Sequence, residues 1–350
     1  LVPQAQTVQL PKRLPLLPEP ENRGESTSFD ARLVNAYVET GKGPEGTEHW
    51  IYERPGIDEQ SRPPAANATG RGIYFWRGNL YSIFGATLYV DGTAQAGTLN
   101  ATNGIYRFDS VLGATPKLVF GDGVEAYYST GGVATNIVDG DFPAAFRKGW
   151  AYLDGTLYTL TVTAHILGSD INDPTAWDPL NDLLAQIEPD QGVALNKQLV
   201  YVVAFKEWTT EIFYEAGNST GSPLGRVEGA KISWGCVHQD SVQELDGELI
   251  WISKTKTGAT EAVLCSNLKA EPVSTKPVER LLGSVNFSTE TVFSWTAKLD
   301  GHKFYVVTFK TANLTLALDI DERRWSQWTD VNGNYLPFVS STTDNQQRNL

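Results

Sequence analysis

The sequence predicts an all-β protein made of β-propeller-like blade repeats. Three observations carry that prediction. From about residue 70 onward, short runs of aromatic and β-branched residues alternate with Gly, Asp and Asn turns. Asp-Gly pairs stand between several of these runs, where a two-residue hairpin needs positive φ. Aromatic residues, each read as lying in the second strand of a hairpin, recur at Tyr106, Tyr158, Tyr201, Trp251 and Tyr305, roughly 43 to 54 residues apart. That spacing is the length of a four-stranded blade. The repeat is loose, so a large β-sandwich is the alternative architecture.

Residues 1–30 read as an extended N-terminal arm. They carry Pro3, Pro11, Pro15, Pro18 and Pro20, and proline fixes φ and removes a hydrogen-bond donor. Such an arm packs on a neighbouring subunit or remains a free terminus. Residues 31–340 read as the propeller-like body, with room for an inserted platform region, and 341–350 as a polar tail. Within the body, Gly41 to Gly46 is a glycine-rich turn without the G-K-[ST] ending of a phosphate loop. Gly72 to Trp76, Asn79 to Phe84 and Ala86 to Val90 read as strands, with Asp91-Gly92 as the next turn. The clearest hairpin runs from Trp150 to Leu160 around Asp154-Gly155. Asp246-Gly247 and Asp300-Gly301 introduce two further apolar strands. One short helix is expected after Asp178-Pro179, with Leu180, Leu183, Leu184 and Ile187 at helical spacing and Pro189 as the stop.

Composition bounds the function. The chain has 350 residues, 41% hydrophobic and 20% charged, enough apolar side chain for a sizeable core. Its net charge of −13 argues against gripping nucleic acid, which takes Lys and Arg to displace phosphate counterions. An acidic wall suits a passage along which DNA slides without sticking. No stretch reaches the roughly 20 apolar residues of a membrane span, and no leader is expected. There is no methionine; the expectation is either that the chain lacks its true N-terminus or that its sequence was not taken from a gene.

The chemical motifs each have a plainer reading. Gly217-Asn218-Ser219-Thr220-Gly221 fits G-x-S-x-G, but a loop follows where a nucleophile elbow needs a helix. Asp300 and His302 would be its partners. Asp170, Asn172, Asp173 and Asp178 are rich in oxygen ligands, yet Asp before Pro is turn chemistry. Cys236, His238 and Cys265 offer three ligands without a C-x-x-C pair. The two thiols are free or form one disulfide. His49 and His165 have no partner at ligand spacing. The five N-x-[ST] sequons, at Asn67, Asn100, Asn218, Asn286 and Asn313, follow from Asn- and Thr-rich turns. A carboxylate pair for glycoside cleavage cannot be picked out from 41 acids. No catalytic, cofactor-binding or metal-binding residue is assigned, no cofactor is expected, and the chain reads as a non-enzyme.

Several segments, in order, carry a resemblance. Residues 169–181 (SDINDPTAWDPLN), 188–195 (EPDQGVAL), 201–205 (YVVAF) and 210–214 (TEIFY), the last followed by Gly217 and Asn218, resemble the packaged-DNA stabilisation, or tail nozzle (tail hub), proteins of short-tailed bacteriophages (podoviruses). So do 32–39 (RLVNAYVE) and Arg54-Pro55-Gly56 near the start, and 318–321 (LDID) and 325–328 (WSQW) near the end. The resemblance spans roughly residues 30 to 330. It implies a β-propeller subunit of a virion, made in the host cytoplasm. Several copies, usually six, would form a ring below the portal and adaptor rings, next to tail fibre, tailspike or needle proteins. That ring would retain packaged double-stranded DNA and give it a channel for ejection. The Trp177 segment would then define the fold, as loop plus strand, and not act in catalysis. Family members tend to be longer, so a final blade or platform strands would be missing after residue 350. Two other classes remain open: a carbohydrate-binding or carbohydrate-cleaving propeller used in host recognition, and an intracellular propeller scaffold.

Overall fold

The computed structural model describes residues 33–43, 46–57, 69–100, 104–346 and 348–350. Their chain forms a two-stranded ribbon, β1 (Ala36–Gly43) and β2 (Gly46–Glu53), and then six four-stranded antiparallel sheets, each a meander of consecutive strands. Blade 1 is β3 (Gly70–Trp76), β4 (Asn79–Phe84), β5 (Thr87–Val90) and β6 (Thr93–Ala94). Blade 2 is β7 (Arg107–Val111), β8 (Lys117–Gly121), β9 (Ala126–Ser129) and β10 (Thr135–Asn136). Blade 3 is β11 (Arg147–Leu153), β12 (Thr156–Leu160), β13 (His165–Asp170) and β14 (Asp173–Leu184). Blade 4 is β15 (Gly192–Gln198), β16 (Tyr201–Lys206), β17 (Thr210–Glu215) and β18 (Leu224–Arg226). Blade 5 is β19 (Gln243–Leu245), β20 (Glu248–Lys254), β21 (Thr260–Ser266) and β22 (Lys269–Pro272). Blade 6 is β23 (Val292–Leu299), β24 (His302–Phe309), β25 (Leu314–Asp319) and β26 (Arg324–Gln327). The fold is a six-bladed β-propeller; the sandwich alternative is set aside.

The apolar runs explain the architecture. In β20, Leu249 and Trp251 pack toward blade 4, while Ile250 and Ile252 pack toward blade 6. Strands β16 and β24 divide their residues in the same way: Val202 and Ala204 against Val203 and Phe205, and Phe304 and Val306 against Tyr305 and Val307. A strand with a blade on each side buries both faces, so period-2 alternation gives way to a continuous apolar run. The core is therefore a series of wedges between blades. The first strands of neighbouring blades approach each other and line the axis. There β11 bulges between Arg147 and Ala151. Gly149 sits in the bulge with φ +104, where a Cβ would lie 1.8 Å from the carbonyl oxygen of Leu195, so only glycine fits.

The Asp-Gly turns form as expected. Asp154 and Gly155 have φ of 45° and 94° between β11 and β12, and the pairs at 91–92, 246–247 and 300–301 have positive φ too. The aromatic repeat is correct for blades 3 to 6, where Tyr158, Tyr201, Trp251 and Tyr305 lie in second strands. It is wrong at Tyr106, which precedes the first strand of blade 2; the buried aromatic of that blade's second strand is Phe120.

The helix expected after Asp178-Pro179 does not form. Residues 173–184 are strand β14, whose register jumps from Ser169↔Trp177 to Leu167↔Asp182. Residues 178–181 bulge outward, leaving Leu180 73% exposed, and Ile187, beyond the end of the strand, is 39% exposed. The four apolar residues thus do not share one face, and pairing with β13 satisfies the backbone instead. The helix that does form is α1 (Lys276–Gly283), with Pro277 in its first turn and Val278 and Leu282 buried against blades 5 and 6. The N-terminal arm lies outside the described residues.

The junction of blades 6 and 1 is built differently from the other five. The cluster on the outward side of blade 6 joins Trp295, Phe304 and Val306 to Tyr37, Trp328, Leu336 and Phe338, and takes no residue from blade 1. Asn35 and Leu33 bond to Gln327, so the start of the described chain adds a short parallel edge to β26. At the other end, Ser341 Oγ donates to the Thr296 carbonyl at 2.7 Å, and Phe75 N donates to Thr342 Oγ1 at 3.0 Å. The polar residues after 340 therefore bridge blades 6 and 1.

Candidate functional site at the propeller axis

The axis of a propeller is where side chains from every blade converge. One end here is filled by a 3-10 turn, Gln239–Ser241, in the connection from blade 4 to blade 5. The His238 ring nitrogen accepts from Asp240 N and starts the turn. Asp240 is buried, with Lys148 Nζ of blade 3 at 2.7 Å from Oδ2 and Arg107 Nε of blade 2 at 3.8 Å from Oδ1. Its carbonyl accepts from Arg107 and from the Ser294 hydroxyl of blade 6. Ser241 completes the knot: its carbonyl accepts from the Tyr305 hydroxyl at 2.7 Å, and its Oγ accepts from Ile252 N of blade 5. Gln239 Oε1 accepts from Lys148 N at 3.1 Å. Four blades thus hold one turn across the axis. Burial pushes the Asp240 carboxyl up, but the charges of Lys148 and Arg107 outweigh it and hold the carboxyl below its ordinary range.

Further along the first strands, Asp109 of β7 accepts from Ser110 N at 2.7 Å and Tyr152 N at 3.1 Å. Burial pushes its carboxyl up to about 6, against the pull of these two bonds. Burial, with Asp109 adding to it, also pushes the phenol of Tyr74 up to about 12. The second buried charge cluster lies in blade 4. Lys206 Nζ, fully enclosed, sits 2.8 Å from Asp190 and 2.7 Å from Glu211, and Glu211 also takes Arg226 at 3.0 Å. This cluster fixes the loop into blade 4 through the carbonyls of Ala185 and Glu188. A small polar depression beside it is lined by Glu188, Trp208, Lys231 and Lys256. Its carboxylates have fixed partners: Glu188 takes Lys231 at 2.5 Å, and Asp190 takes Thr209 and the Trp208 amide.

The motifs singled out in the sequence do not assemble into a reactive centre. Ser219 lies in the exposed hairpin between β17 and β18 of blade 4, whereas His302 pairs with Asp319 at 2.6 Å inside blade 6. Asp300 instead accepts from the Tyr37 hydroxyl. Asp173 is paired with Lys117, Asn172 accepts from Tyr152, and Asp178 caps its own turn at Leu180. No group of three or more His, Cys, Asp or Glu side chains among the described residues is placed to hold a metal.

Cys236 and Cys265 are both free and buried; burial raises their thiols to about 12 and about 11. His165 pairs with Asp182, and His49 with Thr40. Asn218 and Asn286 bond within their own turns, as turn-forming asparagines do, Asn313 Oδ1 accepts from Tyr335 N in the segment after blade 6, and Asn67 lies outside the described residues. Pro44 and Glu45 of the glycine-rich turn lie outside them too.

Sequence reasoning missed the axial knot because Lys148 and Arg107 lie 92 and 133 residues from Asp240. No local spacing announces such a contact. The Gln-Asp-Ser turn after His238 was the one local signal, a polar cap inside an apolar stretch.

Comparison with known proteins bears on the fold and the family. No curated protein matches the chain. An extracellular domain of a hybrid two-component system from B. thetaiotaomicron is similar in fold, with TM-score 0.50 and 10% identity, over 82% of this chain and 37% of that one. The Neurospora crassa Pan2 WD40 domain gives TM-score 0.47 and 10% identity over 80% of this chain and 84% of its own. No helix among the described residues is long and apolar enough to cross a membrane. The family model for phage stabilisation proteins, described as Bacteriophage P22 Gp10, beta-propeller, matches residues 14–335. With six blades, an axis closed by structural contacts and that match over most of its length, the chain belongs to this phage stabilisation family.

Proposed function

We propose that this chain is a structural virion subunit of a phage tail, and that several copies, six by the resemblance, form a ring below the portal and adaptor. The ring retains packaged double-stranded DNA and provides its exit channel. The observation that carries this reading is the filled axis. A duplex cannot follow a path that Asp240, Lys148, Arg107 and Ser294 occupy. The passage then runs between copies, and the propeller is wall material. A rigid blade stack with few free edges suits a wall, and identical copies close into a ring through heterologous contacts. The net charge of −13 keeps such a wall from holding the phosphate backbone. Neighbours in the assembly would be the portal-adaptor proteins on one side and tail fibre, tailspike or needle proteins on the other.

Imaging of the particles that contain this chain tests the reading. A ring of about six copies around an axial passage, attached below the portal, is the expected result. A dispersed monomer that binds bacterial surface polysaccharide through one pocket would overturn it in favour of a host-recognition propeller.

A further inference from the structure

Buried charges are costly, because each one gives up its water. The charge cluster of blade 4 holds the floor of the depression beside it. Lys206, Asp190 and Glu211 have side chains 0–1% exposed. Lys206 donates to the carbonyl of Glu188 at 2.7 Å. Asp190 accepts from the amides of Trp208 at 2.8 Å and Thr209 at 3.0 Å, which fixes the turn between β16 and β17. The depression, of about 280 Å³, opens where this turn meets three other segments. They are the connection into blade 4 at Glu188, the connection out of it at Lys231 and Ser233, and the β20–β21 turn at Lys256. Accessible groups that stand on a rigid buried network are preorganised for binding.

Those groups are an indole, cations and hydrogen-bonding oxygens. Trp208 is half-buried, with the Lys254 ammonium 4.9 Å from its ring centre. Lys231 is tied to Glu188 Oε1 at 2.5 Å, whereas Lys254 and Lys256 are in no ion pair among the described residues. Two such cations beside one indole stand out on a chain of net charge −13. Glu188 keeps a second carboxylate oxygen, and Ser233 a hydroxyl, for further hydrogen bonds.

We propose that this depression binds an acidic sugar, a pyranose ring bearing a carboxylate. The apolar C–H face of a pyranose packs on an indole. Lys256 and Lys254 meet the carboxylate through charge-assisted hydrogen bonds, and Glu188 and Ser233 serve the ring hydroxyls. The volume lies at the lower edge of ligand pockets and admits one such ring, a single residue of an acidic polysaccharide. A nucleic-acid strand fits less well, because its run of phosphates calls for a stripe of cations. The site binds without cleaving. Asp190 is engaged by Lys206 and Thr209, and Glu188 by Lys231, so no free pair of carboxyl groups flanks the sugar.

Fluorine NMR of the full chain carrying fluorotryptophan tests this, with the Trp208 line identified by its loss in Trp208→Phe. Methyl glucuronide is expected to move that line to saturation. Methyl glucoside, which lacks the carboxylate, is expected to bind roughly tenfold more weakly. Lys256→Ala, in an exposed turn, is expected to weaken the glucuronide by roughly tenfold and to leave the glucoside unchanged. Lys269→Ala, in the β21–β22 turn at the other end of blade 5, is expected to change neither. A Trp208 line that no sugar moves would overturn the proposal, as would equal affinity for the glucoside or for inorganic phosphate. The readout is the same for a monomer and for a ring, so its failure leaves the ring reading to be decided by imaging.

Discussion

At the residue scale, the fold depends on charges that sit where water cannot reach. Lys206 is enclosed between Asp190 and Glu211, with side chains 0–1% exposed. Removing one partner of a buried pair leaves the others uncompensated. Lys206→Ala is therefore expected to cost about 3–5 kcal/mol in chemical denaturation. Lys206→Met combined with Glu211→Gln is expected to recover part of that loss by removing a charge of each sign.

Asp240 gives a prediction in pH. The charges of Lys148 and Arg107 hold its folded carboxyl below the ordinary aspartate range. Its contribution is present above the unfolded value and is lost as pH falls through the folded one. The gap in thermal midpoint between wild type and Asp240→Asn is expected to be wide at pH 7 and to narrow in acid. Asp109 works in the opposite sense. Its carboxyl, raised to about 6, binds a proton more readily folded than unfolded, so it costs stability as pH rises from about 4 through 6. A carbon-detected NMR titration is expected to place its midpoint near pH 6; a midpoint near 4 would contradict the burial argument.

At the scale of elements, β14 shows tertiary pairing overriding a local pattern. Residues 180–187 have helical spacing, yet Leu183 and Leu184 pack against the cluster between blades 3 and 4 while Leu180 points to solvent. A helix that buried the whole stripe would make Leu180→Asp and Leu183→Asp equally damaging. The bulged strand predicts that Leu180→Asp stays within about 0.5 kcal/mol of wild type, while Leu183→Asp costs several-fold more. Denaturation midpoints of the two variants decide between them. The helix that formed, α1, had the same kind of signal: Val278, Leu281, Leu282 and Val285 at helical spacing after Pro277. The difference is position. Residues 276–283 lie in a connection between blades, where no neighbouring strand offers backbone partners, whereas 173–184 follow β13 and pair with it.

At the scale of the whole molecule, the surface charge and the closed axis point the same way. A protein that holds DNA through phosphate contacts loses affinity steeply with salt, with a log–log slope of about −0.9 for each phosphate neutralised. This chain, at net charge −13, is expected to show weak duplex binding with a slope near zero in a filter or anisotropy titration. Tight binding with a steep slope would count against a non-stick wall.

The sequence by itself determined the fold class, the hairpins and the family. Continuous apolar runs and Asp-Gly turns are local signals, and each is decided by residues a few positions apart. It also carried blades 3 to 6, through Tyr158, Tyr201, Trp251 and Tyr305. Only the tertiary structure decided how the ring is filled and closed. The axial knot joins Arg107, Lys148, Asp240 and Ser294 from distant parts of the chain. The junction of blades 6 and 1 brings Tyr37 and the residues after 328 together on Trp295 and Phe304. Contacts of that separation follow from the stacking of blades around an axis, a geometry that no window of sequence contains.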